Sequence, residues 1–195
     1  QYADVMERAL YNGVISGVSQ DGRHFFYVNP LSSFPDQSDY MKWKNQRQEW
    51  FDCSCCPTNI SRLLASFGEY VYSTGDGAVW AHLFVDGEAK VELDGNKIGL
   101  KQTTNYPWDG QSRFSVSLDA AADFALKIRV PGWCRKATFS VNGETVAPKV
   151  EKGYAMIKRT WSDGDEVILN LSMPVERIEA HPRVRDDAGR VALQR

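Results

Sequence analysis

The sequence lacks the features that mark membrane-spanning, secreted and nucleic-acid-binding chains. No apolar run approaches the roughly 20 residues that a helix needs to cross a bilayer. The N-terminus has neither the basic start nor the apolar core of a signal peptide. The 23 Lys and Arg residues are interleaved with 25 Asp and Glu residues, so the net charge is only −2 and no basic patch is available for nucleic acid. These absences argue against a membrane or nucleic-acid partner.

The chain also lacks an initiating methionine and begins within a helix-like run. It ends at Val191–Gln194, which has the composition of a strand that has only begun. We therefore expect a fragment of a longer protein, whose missing N-terminus would carry any targeting signal. Periplasmic and secreted locations stay open on this ground, although the cysteine usage described next favours a reducing, cytoplasmic compartment.

Cysteine is scarce, yet three of the four cysteines lie within four positions, in the segment Cys53–Pro57. Thiols so close together cannot staple a fold, so metal or thiolate chemistry is expected. Zinc takes thiolate, imidazole or carboxylate ligands, and the local candidates are Cys53, Cys55, Cys56, Asp52, Glu49 and His24. The spacing differs from the CxxC…CxxC pattern of a zinc finger. Buried free thiols are the alternative interpretation.

Helical periodicity flanks the cysteines on both sides. Residues 1 to about 17 carry apolar positions at helical spacing, with Glu7 toward the polar face. A second apolar stripe begins at Ile60, and Pro57 with Thr58 or Asn59 suits the first turn and cap of that helix. Cys55 and Cys56 would then lie just before a helix N-terminus, whose dipole favours thiolate over thiol. A long loop is predicted from Leu31 to about Trp43.

From residue 69 onward the apolar period changes to two, which predicts β-strands. The clearest alternations are Phe114–Leu118, Phe124–Val130, Ala137–Val141 and Val167–Leu171. Asp-Gly and Asn-Gly dipeptides between them predict type I′ turns, at residues 76–77, 86–87, 94–95, 109–110, 142–143 and 163–164. About ten short strands without a crossover helix predict an antiparallel β-sandwich. The domain boundary falls near residues 68 to 78.

Aromatic and imidazole side chains of the β-region have two interpretations. The turn Tyr106-Pro107-Trp108 could form a platform on which a sugar stacks, or its rings could cap the core, which is the commoner role of aromatic residues. His82 lies in a predicted strand and is expected to be structural. His181 precedes a proline and is expected to be solvated.

Five segments, taken in order, resemble glycoside hydrolase family 127, the β-L-arabinofuranosidase family. They are Tyr2–Gly13, Phe26–Leu31, Cys53–Asn59, Thr103–Gly110 and Val130–Trp133. The resemblance covers essentially the whole chain, and its most specific part is the double cysteine followed by Pro-x-Asn. It implies an α+β fragment: residues 1–74 would hold the last helices of an (α/α)6 catalytic barrel, and residues 75–195 an antiparallel β-sandwich truncated at its C-terminal end.

The resemblance also implies a mechanism and a partial set of site residues. Members of the family are retaining hydrolases with a cysteine nucleophile and a zinc ion held by three cysteines and a glutamate. The nucleophile maps to Cys55, also a zinc ligand, and a second zinc ligand maps to Cys56. Tyr27 maps to a sugar-contacting residue. The general acid/base and the remaining zinc ligands fall upstream of the chain, and Cys53 receives no role.

The substrate implied is a furanoside or a plant cell-wall oligosaccharide, and the isolated chain is expected to be inactive. The alternative function is a non-catalytic carbohydrate-binding β-sandwich with a structural metal–cysteine cluster. A third possibility is a structural domain whose cysteines are merely buried.

Overall fold

The computed structural model describes residues 2–28 and 46–195, and the predicted loop from Leu31 to about Trp43 lies outside them. The chain divides into two compact units, Gln1–Ser73 and Thr74–Arg195. Each unit is described by itself below. The assignment of residues 1–74 and 75–195 to a catalytic and a sandwich domain stays a prediction.

The first unit is helical where it has regular structure. Its helices are α1 Tyr2–Ala9, a π-helical turn Leu10–Val14, a 3-10 turn Ile15–Gly17, α2 Cys55–Ser66 and a 3-10 turn Phe67–Tyr70. The helix predicted to about residue 17 therefore continues that far but changes its hydrogen-bonding pattern after Ala9. None of the helices in the described ranges is long and apolar enough to cross a membrane.

The buried face of α1 differs from the predicted one. Glu7, expected on the polar face, is 5% exposed, whereas Val5 from the apolar stripe is 65% exposed. Leu10 is also buried, and it lies three positions beyond Glu7, on the same side of the helix. The face that packs within this unit therefore runs through Glu7 and Leu10. Leu10 belongs to the predicted apolar stripe, whereas Val5 and Ala9 of that stripe are exposed.

Phe25 anchors the non-helical part of the first unit. Its backbone exchanges two hydrogen bonds with Gln48, at 2.9 and 3.0 Å. Its buried ring meets the ring of Phe51 edge-on, with the centroids 5.4 Å apart. Phe25 therefore takes part in an isolated β-bridge with Gln48. This bridge brings the segment around Tyr27 beside the segment that leads into the cysteines.

The second unit consists almost wholly of short strands. They are β1 Tyr72–Gly75, β2 Ala78–Ala81, β3 Gly87–Leu93, β4 Asn96–Thr104, β5 Gln111–Leu118, β6 Ala122–Arg129, β7 Ala137–Val141, β8 Glu144–Val146, β9 Lys149–Glu151, β10 Tyr154–Trp161, β11 Glu166–Leu171, β12 Glu176–Glu179 and β13 Val191–Gln194. A 3-10 turn, Arg185–Asp187, lies between the last two. The strand order is β1-β2-β6-β10-β9 in one sheet, β3-β4-β5-β11-β7-β8 in a second, and β12-β13 in a third.

One strand pairing contradicts the prediction of a wholly antiparallel architecture. β2 pairs with β6 in parallel, with Val79 opposite Leu126. The connection between them contains β3, β4 and β5, which belong to the other sheet. The chain thus leaves the first sheet, builds three strands of the second and returns in the same direction. No crossover helix is needed, so its absence did not exclude a parallel pair.

The turn prediction is correct at three of the six dipeptides. Positive φ at both central residues occurs at Asp76-Gly77, Asp94-Gly95 and Asn142-Gly143, as type I′ geometry requires. It is wrong at residues 86–87 and 109–110, where neither φ is positive, and at 163–164, where only the glycine has positive φ. Lys152-Gly153, between β9 and β10, has the same geometry without the Asn or Asp signal.

The core of the second unit is built from the alternate residues of its strands. Trp161 in β10 is fully buried, and its indole N–H donates to the Phe124 carbonyl at 3.0 Å. Its ring stacks on that of Phe124, with the centroids 5.6 Å apart. The indole N–H thus has a partner inside the core, which removes the cost of burying it. This tryptophan serves packing, as the core interpretation of the aromatics predicts.

Candidate active site around Cys55

Helix α2 begins at Cys55, earlier than predicted. Cys55 and Cys56 therefore occupy the first turn instead of preceding it, and Ser54 is the residue before the helix. Pro57 is tolerated there because the first N–H groups of a helix have no intrahelical acceptor. Thr58 does not cap the helix, since its hydroxyl donates back to the carbonyl of Ser54 at 2.7 Å.

The three sulfur atoms form a chain of contacts. The Sγ atoms of Cys53 and Cys55 are 3.3 Å apart, and those of Cys55 and Cys56 are 3.7 Å apart. Cys55 is exposed, and the other two are half-buried. The alternative interpretation, in which these cysteines are buried free thiols, is therefore wrong for the described chain.

Tyr27 lies beside this cluster although 28 positions separate it from Cys55. The Cys56 sulfur is 3.8 Å from the backbone carbonyl oxygen of Tyr27. The Tyr27 ring packs against Phe51 with the centroids 6.0 Å apart. Negative charge at Cys53, and next at Cys55, raises the pKa of the Tyr27 phenol. Such a shift requires the sulfur atoms to lie close to the phenol. The structure thus brings together the three residues that the sequence singles out for the site.

The pKa values of Cys53 and Cys55 are shifted in opposite directions. A side-chain hydrogen bond with Cys53, followed by one with Cys56, raises the pKa of the Cys55 thiol to about 11. The pKa of Cys53 lies below its ordinary value, because its sulfur hydrogen-bonds first with the Cys55 backbone and then with the Cys55 side chain. In the metal-free chain Cys53 is therefore the first of these two thiols to ionise.

The other predicted ligand candidates are His24, Glu49 and Asp52. His24 approaches Glu49 and Asp21, each with a nitrogen–oxygen distance of 3.7 Å. Asp52 is exposed. Within residues 2–28 and 46–195, no group of three or more His, Cys, Asp or Glu side chains is arranged to hold a metal ion. The described residues therefore offer at most part of a metal site.

The Cys55–Cys56 pair nevertheless fits two corners of a zinc site. Tetrahedral zinc with bonds of about 2.3 Å to sulfur holds two thiolates about 3.8 Å apart. The observed 3.7 Å between Cys55 and Cys56 matches that separation, and the 3.3 Å between Cys53 and Cys55 is shorter than it. The donor chemistry and the spacing together favour Cys55 and Cys56 as a ligand pair.

Candidate residues of the second unit divide into packed and exposed ones. His82 is half-buried and its Nδ1 hydrogen-bonds the Tyr154 hydroxyl at 2.7 Å, as expected of a structural histidine. His181 is exposed in a loop. Tyr106 stacks on Trp133 with the centroids 6.5 Å apart, whereas Trp108 is 72% exposed. Only Trp108 of this turn is thus available as an open ring.

Two features of the first unit were missed from the sequence. The buried carboxylate Glu7 carried no signal, because a single Glu on a helix is ordinarily a surface charge. Phe51 packs against both Phe25 and Tyr27. The sequence feature that could have indicated this role is the aromatic pair Trp50-Phe51 just before the cysteines.

Comparison with known protein families identifies the family of this chain. Residues 1–69 match the profile of the β-L-arabinofuranosidase GH127 catalytic domain, and residues 78–173 match that of the GH127 middle domain. The chain belongs to glycoside hydrolase family 127. The resemblance seen in the five sequence segments is thereby confirmed.

Similar proteins of this family are known in sequence and in structure. A non-reducing end β-L-arabinofuranosidase of Bifidobacterium longum is 39% identical over 204 residues, covering 100% of this chain and 30% of that protein. The crystal structure of a GH127 β-L-arabinofuranosidase from Geobacillus stearothermophilus T6 superposes with a TM-score of 0.92 at 53% identity, covering 100% of this chain and 31% of that one. A GH127 β-arabinofuranosidase has a TM-score of 0.89 at 41% identity, covering 100% and 32%. The chain thus spans about a third of the length of these relatives.

Proposed function

We propose that this chain is the part of a retaining β-L-arabinofuranosidase-like glycoside hydrolase that carries the nucleophile, Cys55. The observation that carries the proposal is the exposed Cys55 sulfur at the start of α2, 3.7 Å from Cys56 and beside Tyr27, in a member of family 127. The substrate class follows from the family: an arabinofuranoside or a related furanoside of plant cell-wall oligosaccharides.

Each of these residues has a role in the proposed reaction. The Cys55 thiolate attacks the anomeric carbon and forms a thioglycoside, which water then hydrolyses with net retention. A general acid must protonate the leaving oxygen, and no residue of this chain is assigned that role. Tyr27 would meet the sugar beside the sulfur. Its raised pKa keeps the phenol protonated and able to donate a hydrogen bond.

Zinc is the cofactor that the cysteine pair suits, with Cys55 and Cys56 as two of its ligands. When bound, the ion would supply the positive charge that keeps the Cys55 sulfur ionised at neutral pH. The raised pKa of the Cys55 thiol, about 11, supports this role of the ion, because such a thiol is scarcely ionised at neutral pH. Helix α2 alone does not supply it.

The architecture proposed for the whole protein follows the same family. Residues 1–74 would be the end of an (α/α)6 barrel, and the two large sheets of the second unit would form a β-sandwich. Exposed apolar side chains on α1 and α2 support the assignment of residues 1–74 to a barrel: Val5 is 65% exposed and Leu64 is 54% exposed. Further barrel helices would cover both.

The nucleophile is tested by Cys55→Ser in the full-length protein, with Cys134→Ser as the matched control. The Cys134 sulfur lies in the second unit, 3.3 Å from the Lys136 carbonyl. We expect Cys55→Ser to reduce turnover of an arabinofuranoside by about 1,000-fold or more, with the circular dichroism spectrum unchanged, and Cys134→Ser to be unaffected. Wild-type-like turnover by Cys55→Ser would refute the assignment.

The isolated 195-residue chain is expected to be inactive, because the acid/base residue and the other zinc ligands implied by the family are absent from it. Measurable hydrolysis by this chain alone would mean that the proposed division of the site is wrong.

A second candidate function, carbohydrate binding by the second unit, is favoured by the 72% exposure of Trp108. An open indole face is suited to stacking on a sugar ring, and Arg195 holds the turn by donating to the Trp108 carbonyl at 2.8 Å. Under this hypothesis Trp108→Ala weakens retention of the protein on arabinan gels without changing hydrolysis of a small substrate. Half-buried Trp80, with Lys127 Nζ 3.9 Å from its ring centroid, provides the control substitution Trp80→Ala. Equal retention of wild type and Trp108→Ala would exclude this function.

A further inference from the structure

Cys53 has no part in the proposed reaction, yet its sulfur is the nearest one to the nucleophile. The Sγ–Sγ distance is 3.3 Å to Cys55, against 3.7 Å between Cys55 and Cys56. Cys53 is half-buried and Cys55 is exposed, so a small oxidant can reach the pair from solvent. A thiol held this close to an exposed, functionally essential sulfur can react with it.

The backbone between the two cysteines allows a disulfide to close. Ser54 has φ −99° and ψ 6°, a compact conformation that draws the flanking Cα atoms together. A disulfide requires Cα atoms within about 4.4–6.8 Å, and a compact intervening residue keeps them in that range. Cys53 also precedes helix α2, so it can adjust without breaking helical hydrogen bonds.

The competing pair, Cys55 with Cys56, is disfavoured on the same grounds. These residues are adjacent, and a disulfide between them would close a small ring through a single peptide bond, which resists twisting from planarity. Both residues also lie in the first turn of α2, whose regular backbone would have to distort. The Cys56 sulfur moreover contacts the backbone carbonyl oxygen of Tyr27, at 3.8 Å.

We propose that Cys53 and Cys55 form a reversible oxidation site, which closes to a disulfide when Cys55 is free of metal and meets a peroxide. One sulfur attacks the peroxide oxygen and becomes a sulfenic acid, releasing one water. The second thiol then attacks that sulfur, the S–O bond breaks, and a second water leaves. Two thiols and one hydrogen peroxide thus give one disulfide and two waters, and a dithiol reductant reverses the change.

The effect of this oxidation on activity rests on the proposed function of Cys55 as the nucleophile. The formation of the disulfide does not depend on that function. Without a neighbouring thiol, an oxidised cysteine proceeds to sulfinic acid, which is irreversible in most proteins. With Cys53 at 3.3 Å, the sulfenic acid is intercepted first. Cys53 is therefore the resolving cysteine that preserves Cys55 in a recoverable form.

The test is intact and peptide mass spectrometry of the full-length protein after chelation and treatment with hydrogen peroxide. Cys53, Cys55 and Cys56 share one tryptic peptide, residues 48–62, and Cys134 lies on another, residues 130–135. We expect peptide 48–62 of the wild type to lose two hydrogens, about 2 Da, and to recover them with dithiothreitol. Cys56→Ser should behave like the wild type. Cys53→Ser should show no such loss and should gain two oxygens instead.

Three outcomes would overturn the proposal: no hydrogen loss in the wild type, its retention in Cys53→Ser, or its disappearance in Cys56→Ser. Circular dichroism before oxidation establishes that each variant is folded. A sample in guanidinium provides the reference for an unconstrained chain, which must close the bond more slowly than the folded one. The mass measurement is separate from turnover, so a failure here is distinguishable from a failure of Cys55→Ser to lose activity.

Discussion

If the full-length protein holds the proposed zinc, removal of the metal tests how the ionisation of Cys55 is controlled. The hydrogen bond with Cys53 raises the pKa of the Cys55 thiol to about 11. At pH 7 this thiol is about four pH units below its pKa, so about one molecule in 10,000 carries the thiolate. If zinc ionises the sulfur fully, chelation should slow any reaction of the Cys55 thiolate by about 1,000- to 10,000-fold.

The assay is alkylation by iodoacetamide, followed by fragment-ion quantification on peptide 48–62. In chelated protein, the rate at Cys55 should rise about tenfold for each pH unit above 7 and level off near pH 11, because only the thiolate reacts. Cys53 should react at lower pH than Cys55, since its pKa is lowered. Cys134, on its separate peptide, is the internal reference.

Substitution of Cys53 examines the cause of the shift. Cys53→Ala removes the largest contribution to the raised pKa of Cys55, so the Cys55 profile should move to lower pH. A chelated wild type in which Cys55 reacts before Cys53, or a profile that is flat in pH, would refute this reasoning. An unchanged Cys55 profile in Cys53→Ala would show that the sulfur contact does not control the acidity.

Two further predictions concern the stability of the second unit, measured as the free energy of unfolding in urea. Asp165→Ala should lower it by about 1–3 kcal/mol, because the Ser162 backbone N–H loses its acceptor at 2.9 Å. That N–H also holds the pKa of Asp165 below its ordinary value, so the difference from wild type should be largest at neutral pH and should become smaller as pH falls through that lowered pKa; a difference that does not change with pH would contradict it. Gly110→Ala should cost about 2 kcal/mol or more, because its Cβ would lie 2.0 Å from the Leu171 carbonyl oxygen, whereas Gly87→Ala meets nothing within 4 Å and should be nearly neutral.

The β-region was predictable in its parts because each part is a local signal. Alternation places β5, β6, β7 and β11 within a few residues of their observed bounds. Asn142-Gly143 forms the expected turn because these two residues tolerate positive φ better than others do. The parallel pairing of β2 with β6 was not predictable in this way. It depends on three intervening strands joining a different sheet, which no local pattern encodes.

In the helical region, the extent of the first helix was predictable from the sequence but the complete set of residues that it buries was not. Periodicity predicts the extent of the first helix but its packed face only in part, because Leu10 is buried as expected whereas Glu7 is buried and Val5 is exposed. An apolar stripe indicates only that something covers it. In a chain that spans about a third of its relatives' length, that cover need not lie within the same chain. The segment that packs against an amphipathic helix is determined by the tertiary structure and is not indicated by the pattern of the helix itself.

The candidate site combines both kinds of information. Adjacent cysteines before a proline identify Cys55 and Cys56 from sequence, and the Phe25–Gln48 bridge that carries Tyr27 to them appears only in the fold. The expected preference of the helix dipole for the Cys55 thiolate is opposed by a local effect. A dipole acts on both cysteines of the first turn, whereas the Cys53 sulfur at 3.3 Å acts on Cys55 directly and favours its protonated form. Local geometry therefore positions Cys55 but raises the pKa of its thiol, and the proposed zinc is a cation that would lower that pKa.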